Sequence, residues 1–147
     1  MVVLRDARPA DFERLWHIDQ RCFITGISYT REELAAYMGL RDAFTLVAER
    51  DGEIRGFVVA RRSRRRGHII TIDVLPDTQR SGLGSELLTA AEKRLLATGC
   101  QSVWLETAVD NAAAIAFYKR HAYAVQAVLA RYYLDSVDAF VMAKRIG

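Results

Sequence analysis

The segment Ile72-Asp73-Val74-Leu75-Pro76-Asp77-Thr78-Gln79-Arg80-Ser81-Gly82-Leu83-Gly84-Ser85 constrains the fold of this chain more than any other stretch. β-Branched residues between Gly67 and Leu75 predict a strand, and Pro76 ends it. After a polar turn, Leu83, Leu87, Leu88, Ala91, Leu95 and Leu96 mark the inner face of a long helix that starts at about Gly82 and stops at Gly99. Such a turn leaves backbone N–H groups of the first helical turn unpaired at the positive end of the macrodipole. Gly82 and Gly84 carry no side chains, so an anion can approach that backbone, and Arg80 adds a full positive charge. The segment is expected to cradle a pyrophosphate. Two other phosphate motifs are excluded: Leu87 stands where a dinucleotide fingerprint needs a third glycine, and no Gly-Lys-Ser/Thr is present.

The rest of the chain supplies a sheet for this unit. Val2-Val3-Leu4 reads as a first strand, and Pro9 suits the first turn of a helix carrying Phe12, Leu15, Trp16 and Ile18. Thr30 and Glu33 form a capping box for a second helix through Leu34 and Met38, ended near Gly39. Phe44–Ala48 and Phe57–Ala60 read as antiparallel strands joined by the hairpin signal Asp51-Gly52. Val103-Trp104-Leu105 is a short apolar strand. A helix runs from Asp110-Asn111 through Tyr118, and strands over Tyr123–Tyr133 and Phe140–Ala143 follow, with Asp135–Asp138 as their turn. The order β-α-α-β-β-β-α-β-α-β-β predicts one domain over residues 1–147, an α/β fold with helices packed on a mixed sheet.

Composition narrows the function. The 147 residues are 51% hydrophobic and 27% charged, which fits a folded domain and argues against a disordered chain. The formal charge of +3 is mild, and much of the excess lies in Arg61-Arg62-Ser63-Arg64-Arg65-Arg66. This run reads first as a solvated turn and second as a surface for something anionic. No aromatic residue interleaves with it, so nucleic acid is not an expected partner. Cys22 and Cys100 form no paired motif, the N-terminus turns charged too early for a signal peptide, and no apolar run is long enough for a bilayer. These features predict a cytoplasmic protein with no membrane partner. His17, His68 and His121 show no ligand-like grouping, so no metal is expected. The sequence does not set the oligomeric state.

A second constellation follows in Leu105-Glu106-Thr107-Ala108-Val109-Asp110-Asn111-Ala112-Ala113-Ala114-Ile115-Ala116-Phe117-Tyr118. Asn111 and Tyr118 are spaced by nearly two helical turns, which puts them on one helix face. The alanines between them leave a thin wall against which an extended ligand arm can lie. Glu106 ends the short strand, where a carboxylate can point into a cleft at the sheet edge. From the residues alone, Asn111 equally suits a helix cap, Tyr118 a half-buried aromatic and Glu106 a solvated strand end.

In these two segments the chain resembles the GNAT acetyltransferase superfamily. Gln79-Arg80-Ser81-Gly82-Leu83-Gly84 matches its acetyl-CoA signature, Q/R-x-x-G-x-G/A. Leu105-Glu106 with Asn111, Ala114, Ile115 and Tyr118 is similar to the subgroup that acetylates the N-terminal alanine of a small-subunit ribosomal protein. The resemblance covers the whole chain and implies a single-domain GNAT fold, with a mixed, mostly antiparallel central sheet flanked by helices. It implies acetyl-CoA as co-substrate, with backbone groups of Ile72, Asp73 and Val74 along the pantetheine arm. Backbone N–H groups from Arg80, Ser81, Gly82, Leu83, Gly84 and Ser85 would hold the pyrophosphate, and Asn111 would contact the arm. Glu106 becomes the general base, directly or through water, Tyr118 the general acid, and Tyr132-Tyr133 the lining of a peptide entrance. Departures fall on the acceptor side. Thr107-Ala108 replaces a hydrophobic residue followed by Arg, Ala122 stands in place of a glycine, and Ile24–Tyr29 lacks the subgroup's Pro and Trp.

The implied chemistry is acetyl transfer from a thioester to an amine. An α-amine, with a pKa near ~8, suits one carboxylate base better than a lysine near ~10.4. A tyrosine near ~10 is a protonated donor at neutral pH, and a backbone N–H near Val74 would steady the oxyanion. The expected acceptor is a protein or peptide N-terminus, with ribosomal protein among the candidates. The alternatives are a small amine (polyamine, amino acid or antibiotic) and a CoA- or RNA-binding module without turnover.

Overall fold

In a computed structural model of the chain, the structure describes residues 2–23, 28–79, 81–133 and 137–147. Seven strands form one sheet in the order β1-β2-β3-β4-β5-β7-β6: β1 Val2–Asp6, β2 Ala43–Arg50, β3 Glu53–Ser63, β4 Arg66–Val74, β5 Ser102–Ala108, β6 Ala124–Tyr133 and β7 Val137–Arg145. Every neighbouring pair is antiparallel except β4–β5. The helices are α1 Phe12–Cys22, α2 Arg31–Met38, α3 Leu83–Ala97 and α4 Ala112–Arg120. The element order matches the one read from the sequence.

Local chemistry explains most element ends. The Thr30 hydroxyl accepts from the Glu33 N–H at 3.1 Å while the Glu33 carboxylate accepts from the Thr30 N–H at 2.9 Å, closing the capping box of α2. Asp51 and Gly52 both adopt positive φ, 54° and 80°, as the tight β2–β3 hairpin demands. Pro9 opens a short 3-10 turn ahead of α1, not α1 itself. The last turn differs from expectation. Val137 and Asp138 already belong to β7, because the Asp138 carboxylate accepts from the Arg131 N–H at 2.9 Å and draws the strand start into the ladder; residues 135 and 136 lie outside the described residues.

The sheet separates two apolar layers. On one face α3 packs Leu83, Leu87, Leu88, Ala91 and Leu95 against Ile69, Val103, Leu105 and Met142, with Tyr118 of α4 at the margin. On the other, Leu15 and Ile18 of α1 and Leu34 of α2 meet Val47, Phe57 and Val59. α1 lies over β3 and β4 and α2 over β2.

The feature that makes a site is the parting of β4 from β5. They pair only through Arg66–His68 against Ser102–Trp104, although both strands run on. A register irregularity at Val59/Ala60 inserts an extra residue into β4, which sharpens its twist away from β5. Beyond the fork, backbone edges of two central strands face a gap.

Candidate active site

One arm of the fork ends at the α3 N-terminus. Gly82 caps the helix at φ +85°, a conformation that costs other residues energy, and a Cβ there would meet nothing within 4 Å. The Ser81 hydroxyl donates to the Thr78 carbonyl at 2.6 Å and closes the turn. The first helical bond runs from the Glu86 N–H to the Gly82 carbonyl, so the N–H groups of Leu83, Gly84 and Ser85 project from the helix end. Gly84 has a second use: a Cβ there would sit 3.4 Å from Phe117 of α4, so its small size also lets α3 and α4 approach. Ser85 meets His121 Nε2 at 2.8 Å, tying the start of α3 to the end of α4. Arg80 lies outside the described residues.

Along β4, Ile72 and Val74 turn towards the α3 layer and Asp73 towards α1. The Val74 carbonyl already accepts from the Cys22 thiol at 3.3 Å and the Gln79 amide at 3.1 Å. Asn111 serves as the N-cap of α4, its side-chain oxygen accepting from the Ala114 N–H at 3.1 Å. It is exposed whereas Tyr118 is 8% exposed, and as the cap it lies outside the helical repeat on which the spacing argument relied.

The other arm carries the side-chain chemistry. Glu106 is not at a strand end or a sheet edge. It lies within β5, between β4 and β7, with its side chain 12% exposed. His68 of β4 reaches it across the fork, Nε2 standing 2.7 and 2.9 Å from the two carboxylate oxygens. With an acceptor on that side, Nε2 is the protonated nitrogen and donates. The His68 ring stacks flat on Trp104, with centroids 4.4 Å apart and planes 1° apart, and the Arg66 guanidinium lies 4.5 Å from the Trp104 ring centre. The stack fixes the imidazole, and the imidazole fixes the carboxylate. Sequence reasoning missed His68. Its partner is 38 residues away, and only the β4–β5 register, which sets His68 opposite Trp104, brings it to Glu106.

Tyr118, Tyr132 and Tyr133 all lie within the electrostatic reach of Glu106. Burial raises all three hydroxyls above the usual tyrosine range, Tyr132 to about 12, and the Glu106 charge adds to each. Burial keeps the Tyr118 hydroxyl protonated, so it can serve as a donor. Consecutive strand residues ordinarily point to opposite faces, yet the Tyr132 and Tyr133 rings meet edge to face at 4.8 Å. The cause is a bulge. Arg131 adopts φ 53°, and the β6–β7 register slips between Leu129 and Tyr133.

The arginine run forms the β3–β4 turn. Arg62 lies 3.7 Å from Asp42, while Ser63, Arg64, Arg65 and Arg66 line an open cavity of about 730 Å³ beside Trp104. Among the described residues no group of three metal-ligating side chains comes together.

The glycine-opened helix end suits a donor with an anionic tail, and the fork beside it carries a carboxylate able to accept a proton. That division of labour defines a CoA-dependent acyltransferase. Residues 12–123 match the Acetyltransferase (GNAT) family, and the chain belongs to it: it is an acetyl-CoA:amine N-acetyltransferase. It is 31% identical to an N-alpha-acetyltransferase of Sulfurisphaera tokodaii over 95% of this chain and 90% of that one. Among solved structures it is similar to the ribosomal-protein-S18-alanine N-acetyltransferase of Escherichia coli, with TM-score 0.90 and 27% identity over 100% of this chain and 95% of that one. It is likewise similar to Ard1 of Thermoplasma volcanium, with TM-score 0.91 and 28% identity over 99% and 98% of the two chains. The unpaired edges of β4 and β5 and the free N–H groups at Leu83–Ser85 fit acetyl-CoA.

Proposed function

We propose that this enzyme acetylates the α-amine of a polypeptide N-terminus in the cytoplasm. The observation that carries the reading is the His68–Glu106 pair at the fork, on the sheet face that α1 and α2 leave open and beside the Tyr132–Tyr133 bulge. The names of the relatives from Sulfurisphaera tokodaii and Escherichia coli support the same acceptor class.

Bound acetyl-CoA supplies an activated thioester. Glu106 accepts the proton of the incoming amine, directly or through water. His68 Nε2–H steadies the carboxylate before that transfer and keeps it from swinging into solvent. A modest base suffices, because an α-amine near ~8 is partly neutral at cellular pH. Tyr118 holds its proton at neutral pH and presents it as a hydrogen-bond donor to negative charge developing at the fork; burial makes complete release of that proton costly. Tyr132 and Tyr133 present hydroxyls to the backbone of the first peptide residues. Ile72, Asp73 and Val74 offer backbone to the pantetheine arm, Ser81–Ser85 to the pyrophosphate, and Arg80 adds charge. The exposed Asn111 retains its side-chain NH2 for the arm.

The test is turnover with acetyl-CoA of an Ala-initiated peptide containing one internal lysine, its N-terminally blocked twin, and a polyamine. Mass spectrometry should place the acetyl group on the α-amine of the open peptide alone. Label only on the lysine, or turnover only of the polyamine, overturns the reading.

A further inference from the structure

The mechanism leaves unused two carboxyl groups in the α1–α2 layer. Asp19 of α1 is 0% exposed and Asp73 of β4 is 1% exposed. Cys22, one turn on from Asp19, donates to the carbonyl of Val74, the residue after Asp73, which sets this part of α1 on β4 and brings the two carboxyls to interact directly. The outer oxygens are accounted for: Asp19 Oδ2 accepts from the Tyr29 N–H at 2.7 Å, and Asp73 Oδ1 accepts from the Thr71 hydroxyl at 2.6 Å. The inner oxygens, Asp19 Oδ1 and Asp73 Oδ2, are buried and have no donor among the described residues. No described ion pair involves either residue. Two ionised carboxylates meeting in an apolar layer with no cation would repel each other and lack solvation, whereas one proton between the inner oxygens satisfies both.

We propose that Asp19 and Asp73 share a single proton, and that this carboxyl pair positions Tyr29, just ahead of α2, against the cofactor strand. The first half stands on the burial and the orphaned oxygens. The second rests on the acceptor reading above and on what the pair holds. Asp73 immediately precedes Val74 at the fork. Asp19 holds Tyr29, whose carbonyl accepts from Trp16 at 3.0 Å and Gln20 at 2.7 Å and whose hydroxyl donates to the Ile70 carbonyl at 3.4 Å. Tyr29 therefore joins α1, the start of α2 and β4, and the shared proton closes the loop between α1 and β4. Asp19 and Asp73 are positioning residues; neither touches the reacting atoms.

The surroundings favour retention of the proton. Burial raises both carboxyls, Asp73 well above the usual range. The groups facing the pair are Cys22 of α1, pushed up to about 12 by burial, Tyr29, Tyr118 of α4 and, acting on Asp19, Glu33 of α2. None of these is a cation; the nearby Arg21 acts on Cys22. Between the ordinary aspartate range and the raised value, the folded chain binds a proton that the unfolded chain has lost. The unfolding equilibrium then shifts tenfold towards the unfolded state per pH unit of increase, and levels off once the pair has ionised.

The test uses the full chain labelled with carboxyl-¹³C aspartate, in the parent and in Asp19→Asn, Asp73→Asn and Asp19→Ala. The parent should show one aspartate carboxyl still protonated at pH 7, absent from both Asn variants. Asp19→Asn supplies an amide donor to Asp73 in place of the proton, so it should fold and lose the pH slope of urea unfolding. Asp19→Ala should be less stable at every pH. In the parent, KM for an Ala-initiated peptide should rise at least threefold through the pair's ionisation while KM for acetyl-CoA holds; in Asp19→Asn the peptide KM should stay flat. Ionisation of every aspartate below pH 6, or the same unfolding slope in Asp19→Asn, overturns the shared proton. A peptide KM with the same pH profile in both overturns the positioning role. Absence of peptide turnover in every form sinks the acceptor reading alone, and the carboxyl signal still decides the shared proton.

Discussion

On the α3–α4 face of the sheet, Leu83, Leu87, Leu88, Ala91 and Leu95 pack on Val103, Leu105 and Met142, and the polar contacts stay at the margin, where Glu92 accepts from Tyr123 and Lys144. On the α1–α2 face, a smaller apolar layer of Leu15, Ile18, Leu34 and Phe57 encloses two carboxyl groups, and beyond it stand the partly exposed His68, Trp104 and Glu106. The difference follows from what each face has to hold. In the proposed reading the donor's phosphates and amides meet mostly backbone, with Arg80 and Asn111 in support, so the donor face needs little beyond glycines, a helix end and an apolar layer. The amine must give up a proton, which no backbone group accepts, so the acceptor face has to carry titratable side chains and the polar contacts that orient them.

Substitutions can break or sharpen this contrast. Leu87→Ala on the donor face removes a fully buried side chain and should cost about 2–5 kcal/mol in urea unfolding. The loss should be equal at pH 6 and pH 8.5; a loss that changes with pH means that the donor face is not purely apolar in its energetics. Tyr118→Phe should keep acetyl-CoA affinity by calorimetry and lower kcat about 100-fold, roughly 2.7 kcal/mol, if chemistry limits turnover. An unchanged kcat reduces Tyr118 to packing against Phe117 and Tyr123. Gly84→Val crowds both the anion and Phe117, so acetyl-CoA affinity should fall at least about tenfold, roughly 1.4 kcal/mol, with the melting temperature read separately. The smallest effect is at Ala122, where φ is 70° and glycine is at ease: Ala122→Gly should stabilise the fold by up to about 1 kcal/mol with kinetics unchanged.

What was legible in the sequence follows the same division. The capping box at Thr30 and Glu33, the Asp51-Gly52 hairpin and the glycine turn at Gly82 are set by residues a few places apart, and all appear where local chemistry put them. Glu106 was identified by a family motif, but its surroundings were misjudged, because β5 is longer than its apolar kernel and lies inside the sheet. His68 and the Asp19–Asp73 pair were illegible for one reason: each partner is supplied by a different element, and nothing local marks a histidine or an aspartate as half of a pair. The Tyr132–Tyr133 contact was hidden by a bulge at Arg131, a residue with no intrinsic preference for positive φ.

The central claim is that the donor is held without Glu106 and that the acceptor's proton leaves through it. Single-turnover acetylation of an Ala-initiated peptide by Glu106→Gln, paired with calorimetry of acetyl-CoA binding, tests it most directly. Cofactor affinity should be unchanged and transfer slowed at least about 100-fold, with part of the rate regained as rising pH deprotonates the amine in solution. Transfer at the parent's rate, or a loss explained wholly by weaker acetyl-CoA binding, would contradict it.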